Sequence, residues 1–232
     1  MQVVILAAGK GERMRPLTLG TPKPLLKVGG KTLLDHIVES LPPDIDEIVL
    51  VTKYLGHKIR DYCGDEFHGK RVTYVDGSER GTAYSFLAAK PHIKSDRFLF
   101  VYGDELPYPR DIEECLKHPA SILCWDVEDP WNHGIASLQP DGSIAEIIEK
   151  PKSPSSNLIA NGVMVLNKKV FGYQPQVGPK GEYYFADMVN QFVRSNKVIA
   201  VKSISPIGGI STPEDLGRAE KQFMERQSKF KV

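Results

Sequence analysis

Along the first 125 positions, short continuous apolar runs alternate with stretches whose apolar residues recur three and four apart. The runs "VVILAA" (3–8), "EIVLVT" (47–52), "RVTYV" (71–75), "RFLFVYG" (97–103) and "ASILCW" (120–125) have strand length and are rich in β-branched and aromatic residues. Between them, "TLLDHIVESL" (32–41) sets Leu33, Leu34, Ile37, Val38 and Leu41 on one side of a helix, and 55–64, 82–90 and 111–118 have the same spacing. Such alternation predicts parallel strands joined by crossovers, an α/β, Rossmann-like doubly wound sheet that is mostly parallel. Past about residue 130 the texture changes. "HGIASLQPDGSIAEIIEKP" reads as two short strands around a "PDGS" turn, a small antiparallel excursion from the main sheet. A strand over 160–167, a helix over 185–196, a strand over 197–205 and a closing helix over 213–227 complete the chain, with Thr212 suited to cap the last helix and Pro213 to its first turn. The expectation is one domain spanning 1–232.

Composition narrows the partners. Thirty Lys and Arg stand against 29 Asp and Glu, which argues against a surface that coats nucleic acid or adheres to an acidic membrane. The three cysteines, Cys63, Cys115 and Cys124, are far apart and lack CxxC spacing, so neither a disulfide framework nor a zinc site is expected. The apolar start is too short to span a membrane and has no basic residues before it, so it reads as a buried strand. A soluble cytoplasmic protein with no membrane partner is the expectation.

In doubly wound sheets ligands bind beyond the carboxyl ends of the strands, which directs attention to loops 8–24, 76–82 and 103–109. Gly9 and Gly11 directly follow the first strand, where backbone N–H groups can turn onto a phosphate chain. Arg13, Arg15 and Lys23 add fixed positive charge, and Pro16, Pro22 and Pro24 stiffen the segment that carries them. Taken alone, the two glycines fit an ordinary tight turn equally well, since they match neither the dinucleotide nor the P-loop fingerprint.

The whole run is more specific. Gly9, Gly11, Arg13, Pro16, Leu17 and Thr18, followed by Pro22, Lys23, Pro24 and Leu25, resemble the signature of the sugar-1-phosphate nucleotidyltransferases. The blocks "GTA" (81–83), "GDE" (103–105), "EKP" (149–151), "ANG" (160–162), "GEYYFAD" (181–187) and "STPEDL" (211–216) follow in that family's order, so the resemblance covers essentially the whole chain. It implies attack of a sugar-1-phosphate oxygen on the α-phosphorus of a nucleoside triphosphate, with pyrophosphate leaving. Residues 1–130 would form the nucleotide-binding half and 131–232 the sugar-phosphate-binding half. Arg13 would act on the β- and γ-phosphates, Lys23 on the α-phosphate, and Asp104, at the carboxyl end of a buried strand, would ligate Mg²⁺. The resemblance further implies nucleotide contacts from Leu6, Ala8, Gly9, Gly11, Asp76, Gly81 and Thr82. Sugar-phosphate contacts would come from Glu149, Lys150, Asn157, Gly162 and Glu182. In isolation, Asp104 has a turn acid as its lesser alternative, Lys150 reads more readily as a solvated hairpin lysine, and Glu182 has a capping acid as its alternative. Self-association into a homo-oligomer is left open.

The chain departs from the family pattern at two informative places. Aligned on "TPEDL", Gly209 stands where the family carries a second acidic metal ligand. Asp76 stands near a base-reading glutamine and Glu79 near a proline, and an acceptor carboxylate there would favour guanine or cytosine. The opening "LAAG" points instead to uridylyl and thymidylyl members, so the base stays open. Nothing resembles a hexapeptide β-helix, so a monofunctional transferase is expected. Two further readings remain: nucleotidyl transfer to another small phosphate such as phosphocholine, and a catalytically impaired nucleotide-binding regulator, which Gly209 favours.

Overall fold

The computed structural model describes residues 1–149, 151–178, 181–203 and 208–229. In chain order the elements are β1 (Gln2–Ala7), β2 (Lys27–Val28), β3 (Lys31–Thr32), α1 (Leu33–Glu39), β4 (Glu47–Thr52), α2 (Gly56–Cys63), β5 (Glu66–Phe67), β6 (Lys70–Asp76) and α3 (Thr82–Ala88). They continue with β7 (Arg97–Tyr102), α4 (Pro109–Leu116), β8 (Ser121–Asp126), β9 (Gly134–Leu138), β10 (Ile144–Glu149), β11 (Leu158–Asn167), α5 (Phe185–Ser195), β12 (Ile199–Lys202) and α6 (Pro213–Lys229). Every element expected from the pattern is present. The short β2–β3 hairpin and β5 are additions that two-residue strands give no periodicity to reveal. The last strand ends at Lys202, and part of its expected extension lies outside the described residues.

The parallel centre runs β7-β1-β4-β6, with Ala7, Thr52 and Asp76 in register and Leu6 opposite Tyr102. One edge of the sheet therefore collects the carboxyl ends of four strands. The expectation of simple parallel succession needs correction at β8. This strand does not lie beside β7, because the antiparallel β11 stands between them and pairs with both. β12 then adds parallel to β8. The upstream part of β11 reaches past the end of β7, where Ile159 pairs with Ile135 and holds the β9–β10 ribbon. The ribbon thus flanks the carboxyl edge.

Alternation along the buried strands splits the core into two layers. Val4, Leu6, Phe98 and Phe100 pack with Phe86 of α3 and Phe185, Met188 and Phe192 of α5. Val3, Ile5, Leu99 and Val101 pack on the other face with Leu34 and Ile37 of α1, Ile59 of α2 and Ile112 of α4. A third, smaller cluster joins Met14, Leu26, Val28 and Leu33 to Ile210 and Ala219, and so ties α6 to the loop after β1. Among the described residues, no helix is long and apolar enough to cross a membrane.

Candidate active site

The loop after β1 is shaped by its glycine and threonine. Gly11 adopts φ 61°, and a Cβ there would stand 3.0 Å from Thr18 Cγ2 and 3.3 Å from Lys23 Cβ, so glycine is required by both backbone and space. The buried Thr18 hydroxyl donates to the Gly11 carbonyl at 2.8 Å, and the Tyr54 hydroxyl donates to the Thr18 carbonyl at 3.0 Å. A single 3-10 turn, Glu12–Met14, buries Met14 in the α6 cluster while leaving Arg13 and Arg15 exposed on either side of it. Arg13 donates to Ser211 Oγ at 3.4 Å, which links the loop to the segment before α6. A second turn, Lys23–Leu25, starts after Pro22. Pro24 lies beneath Gly103, where an added Cβ would come within 3.2 Å of its ring. That packing carries the Lys23 ammonium onto the Asp104 carboxylate in a short ion pair.

Asp104 and Glu105 follow the end of β7. The Asp104 carbonyl accepts from Ile210 N at 2.8 Å, which fixes residues 209–211 against it. Glu105 is only 8% exposed, and its Oε1 accepts from Gly162 N at 3.2 Å. Burial first, and then the neighbouring charge of Asp104, raise its pKa to about 8, against the partial relief of Gly162 N–H and Lys23. The half-buried Tyr102 is likewise pushed above the usual phenol range, by burial and then by Asp104, Glu105 and Glu149. Gly162 has no room for a side chain, since an added Cβ would stand 2.4 Å from the Tyr102 ring and 2.5 Å from Glu105 Oε1. Glu105 was not singled out from the sequence. The signal was present in "GDE", two adjacent acids at the carboxyl end of a buried strand.

Gly209 lies directly opposite, and a Cβ there would be 3.2 Å from Glu105 Oε1. The position expected to lack a carboxylate thus has the Glu105 carboxylate directly against it. Asp215 is committed elsewhere. Its carboxylate accepts from Ser211 N and Thr212 N, both at 2.8 Å, while Asp215 N donates to Thr212 Oγ1, a reciprocal cap for α6. Burial would raise the Asp215 pKa, but these bonds and Arg218 outweigh it and lower it. Among the described residues there is no group of three or more His, Cys, Asp or Glu that could hold a metal. Two adjacent carboxylates nevertheless fit Mg²⁺, a hard cation that needs one or two protein carboxylates and completes its shell with phosphates and waters.

The remaining candidates fall into separate groups. Leu6 is buried in the core and contributes its backbone, accepting from Gly103 N at 2.9 Å, while Ala8 and the exposed Gly9 border the edge. Asp76 ends β6, but it is not a lone acceptor, because Lys53 pairs with it at 3.0 Å. Gly81 takes φ 116° and is pressed against Tyr183, whose backbone oxygen would lie 2.4 Å from any Cβ. Thr82 accepts from Phe185 N at 2.9 Å, so its hydroxyl helps to start α5. Tyr183 N donates to Arg80 O at 2.9 Å, Ala83 N donates to Tyr183 O at 3.0 Å, and the Arg80 guanidinium stacks 3.6 Å from the Tyr84 ring. The exposed Glu182 thus stands on a segment zipped to the loop that carries Gly81 and Thr82. Glu149 closes β10 near enough for its charge to act on Tyr102. Asn157 precedes β11, five residues and roughly 16 Å along the strand from Gly162, with its carbonyl accepting from Val127 N at 3.0 Å. Lys150 lies outside the described residues.

Known proteins are similar to this chain in sequence and in fold. A family model described as nucleotidyl transferase matches residues 2–218. The bifunctional protein GlmU of Methanocaldococcus jannaschii is 34% identical over 228 residues, covering 97% of this chain and 55% of that protein. The chain therefore spans about half the length of the GlmU relatives it matches. The UTP–glucose-1-phosphate uridylyltransferase AglF of Haloferax volcanii is 32% identical over 238 residues, covering 97% of both chains. Among solved structures, a Bacillus anthracis protein assigned as a glucose-1-phosphate thymidylyltransferase, in complex with sucrose, superposes with a TM-score of 0.80 at 28% identity, over 96% of this chain and 94% of that one. With its signature loop, its parallel edge and its acidic pair in place, the chain belongs to the nucleotidyl transferase family.

Proposed function

We propose that the protein transfers a nucleoside monophosphate from a nucleoside triphosphate to a hexose-1-phosphate, giving a nucleotide sugar and pyrophosphate. The observation that carries this reading is the Lys23–Asp104 ion pair, held at the carboxyl edge of the parallel sheet beside the glycine loop. The acceptor is already anionic, so the work is to bring two anions into line and to neutralise charge as it moves. The acceptor phosphate oxygen forms a bond to the α-phosphorus, and the α-phosphorus to bridging-oxygen bond breaks, releasing pyrophosphate. Lys23 holds the α-phosphate, and the exposed Arg13, steadied by Ser211, grips the β- and γ-phosphates that leave. Mg²⁺, when bound, supplies further neutralisation at the phosphates, and Asp104 with Glu105 would hold it. Glu149, Gly162 and Glu182 border the acceptor in this reading, and Lys150 and Asn157 are its further contacts. We assign 1–130 to the nucleotide and 131–232 to the acceptor, in a cytoplasmic enzyme supplied with nucleoside triphosphate there.

The base is uracil or thymine in this reading. The argument for guanine or cytosine used the Asp76 carboxylate as an acceptor, and the Lys53 ammonium competes for that carboxylate. Relatives named for uridylyl and thymidylyl transfer to glucose-1-phosphate point the same way. The test is pyrophosphate release from five nucleoside triphosphates against a panel of hexose-1-phosphates and phosphocholine, with and without Mg²⁺. Release with UTP or dTTP and a hexose-1-phosphate, dependent on Mg²⁺, is expected. Release with phosphocholine alone, or with no pair at all, would reject the proposal.

A further inference from the structure

Glu105 has an unusual set of neighbours for a buried acid. Its Oε1 accepts from Gly162 N, and among the described residues no donor meets Oε2. Asp104 stands next to it in the chain, and the cation beside this pair is Lys23, already on Asp104. Two acids facing one ammonium leave Glu105 without a cation of its own in a poorly hydrated place, where ionising it is costly unless a further cation comes. Carboxylate oxygens at a strand end that faces phosphates suit a small divalent cation.

The opposite wall shows that this placement is specific. Ile210 N bonds the Asp104 carbonyl, so residues 209–211 cannot drift away from the pair. A Cβ at Gly209 would stand 3.2 Å from Glu105 Oε1 and 3.4 Å from both Cδ and Oε2, so a side chain at 209 would contest the space of the carboxylate. Glycine at 209 and glutamate at 105 are therefore complementary: one leaves the room that the other fills. We propose that Glu105 joins Asp104 as the second carboxylate of a divalent-cation site of the Mg²⁺ class, with its side chain standing in the space that Gly209 leaves. The role of that cation rests on the nucleotidyl-transfer reading, but its binding does not. Gly209 then ceases to argue for a crippled site.

The experiment reads metal binding rather than turnover. Mn²⁺ is titrated into the full chain, without acceptor, and free Mn²⁺ is followed by electron paramagnetic resonance. Glu105→Gln keeps the volume and the oxygen that accepts from Gly162 but removes the charge, and it is expected to weaken Mn²⁺ binding by about tenfold or more. Glu105→Ala should weaken it as well, and Glu105→Ala combined with Gly209→Asp, which returns a carboxylate to the same space from the other wall, should bind clearly more tightly than Glu105→Ala alone. Circular dichroism checks folding, and if Glu105→Gln does not fold, the alanine pair of variants carries the test. Three outcomes overturn the proposal: no Mn²⁺ binding by the wild-type chain, Glu105→Gln binding within about twofold of wild type, or no gain from Gly209→Asp in the Glu105→Ala background. Failure of every substrate pair in the pyrophosphate assay would reject the proposed reaction and leave the Mn²⁺ titration to stand or fall by itself.

Discussion

Asp35 and Glu105 are carboxylates exposed to almost the same extent, 7% and 8%, and the protein treats them in opposite ways. Asp35, in the first turn of α1, accepts from Thr32 N at 2.8 Å, Thr32 Oγ1 at 2.7 Å and the Tyr62 hydroxyl at 2.7 Å, with His68 Nε2 at 2.9 Å. Burial alone would raise its pKa, but these bonds outweigh it and bring it to about 2. Glu105 has a single backbone donor and an acidic neighbour, and it rises to about 8. Similar exposure therefore says little about what an acid does, since Glu105 lies deeper than Asp35 and is more strongly desolvated. Depth and the supply of donors together separate a carboxylate that holds the fold together from one left to meet something that is not part of the chain.

The sharpest way to break this division is to neutralise one acid of each kind and compare the losses. Asp104→Asn removes the charge paired with Lys23, and kcat/KM for the productive substrate pair should fall by about two to three orders of magnitude. Asp35→Asn should leave the kinetics at 25 °C near wild type and lower stability instead. The shift from 3.8 to about 2 corresponds to about 2 kcal/mol. Because the folded pKa is depressed, that contribution is present above pH ~4, where the unfolded acid is ionised, and disappears as pH falls through about 2. Urea unfolding of both proteins from pH 7 down to 2 should show the gap closing over that window. A large kinetic loss in Asp35→Asn, or a constant gap down to pH 2, would erase the distinction. Tyr62→Phe removes one donor of four and should cost about 1 kcal/mol in the same unfolding experiment, with activity unchanged.

The same contrast explains what was legible in the sequence. Strands and helices were read from period and length, and the signature loop from the order of Gly11, Arg13, Pro16 and Lys23, because these are local properties of the chain. The position of β11 between β7 and β8 depends on which edge a returning strand joins, and no local pattern encodes that. Lys23 and Asp104 were expected to serve one site, and the structure joins them across 81 positions in sequence. Glu105 was hidden for a different reason. Its meaning depends on Gly209, 104 residues later, and the absence of a side chain signals nothing until the opposing carboxylate is located. Asp76 adds a second case: its ion pair with Lys53 spans 23 positions and is set by the pairing of β4 with β6, which no local pattern shows.

The smallest effect has the most telling sign. The folded-state pKa of Glu105 is raised, so the folded protein holds a proton that the unfolded chain has already released above its ordinary value of 4.5. Stability from this group is complete below that pH and is lost as pH rises through about 8, the mirror image of Asp35. One proton sets a ceiling of about 1.4 kcal/mol per pH unit on the slope. In metal-free buffer, urea unfolding of the wild-type chain should show stability declining between pH 6 and 8 relative to Glu105→Gln, which has no proton to lose. Added Mn²⁺ should flatten the wild-type decline, since a bound cation favours the ionised carboxylate, and should leave the variant unmoved. Parallel profiles for the two proteins in metal-free buffer would mean that Glu105 is as well satisfied as Asp35, and the two acids would no longer differ in kind.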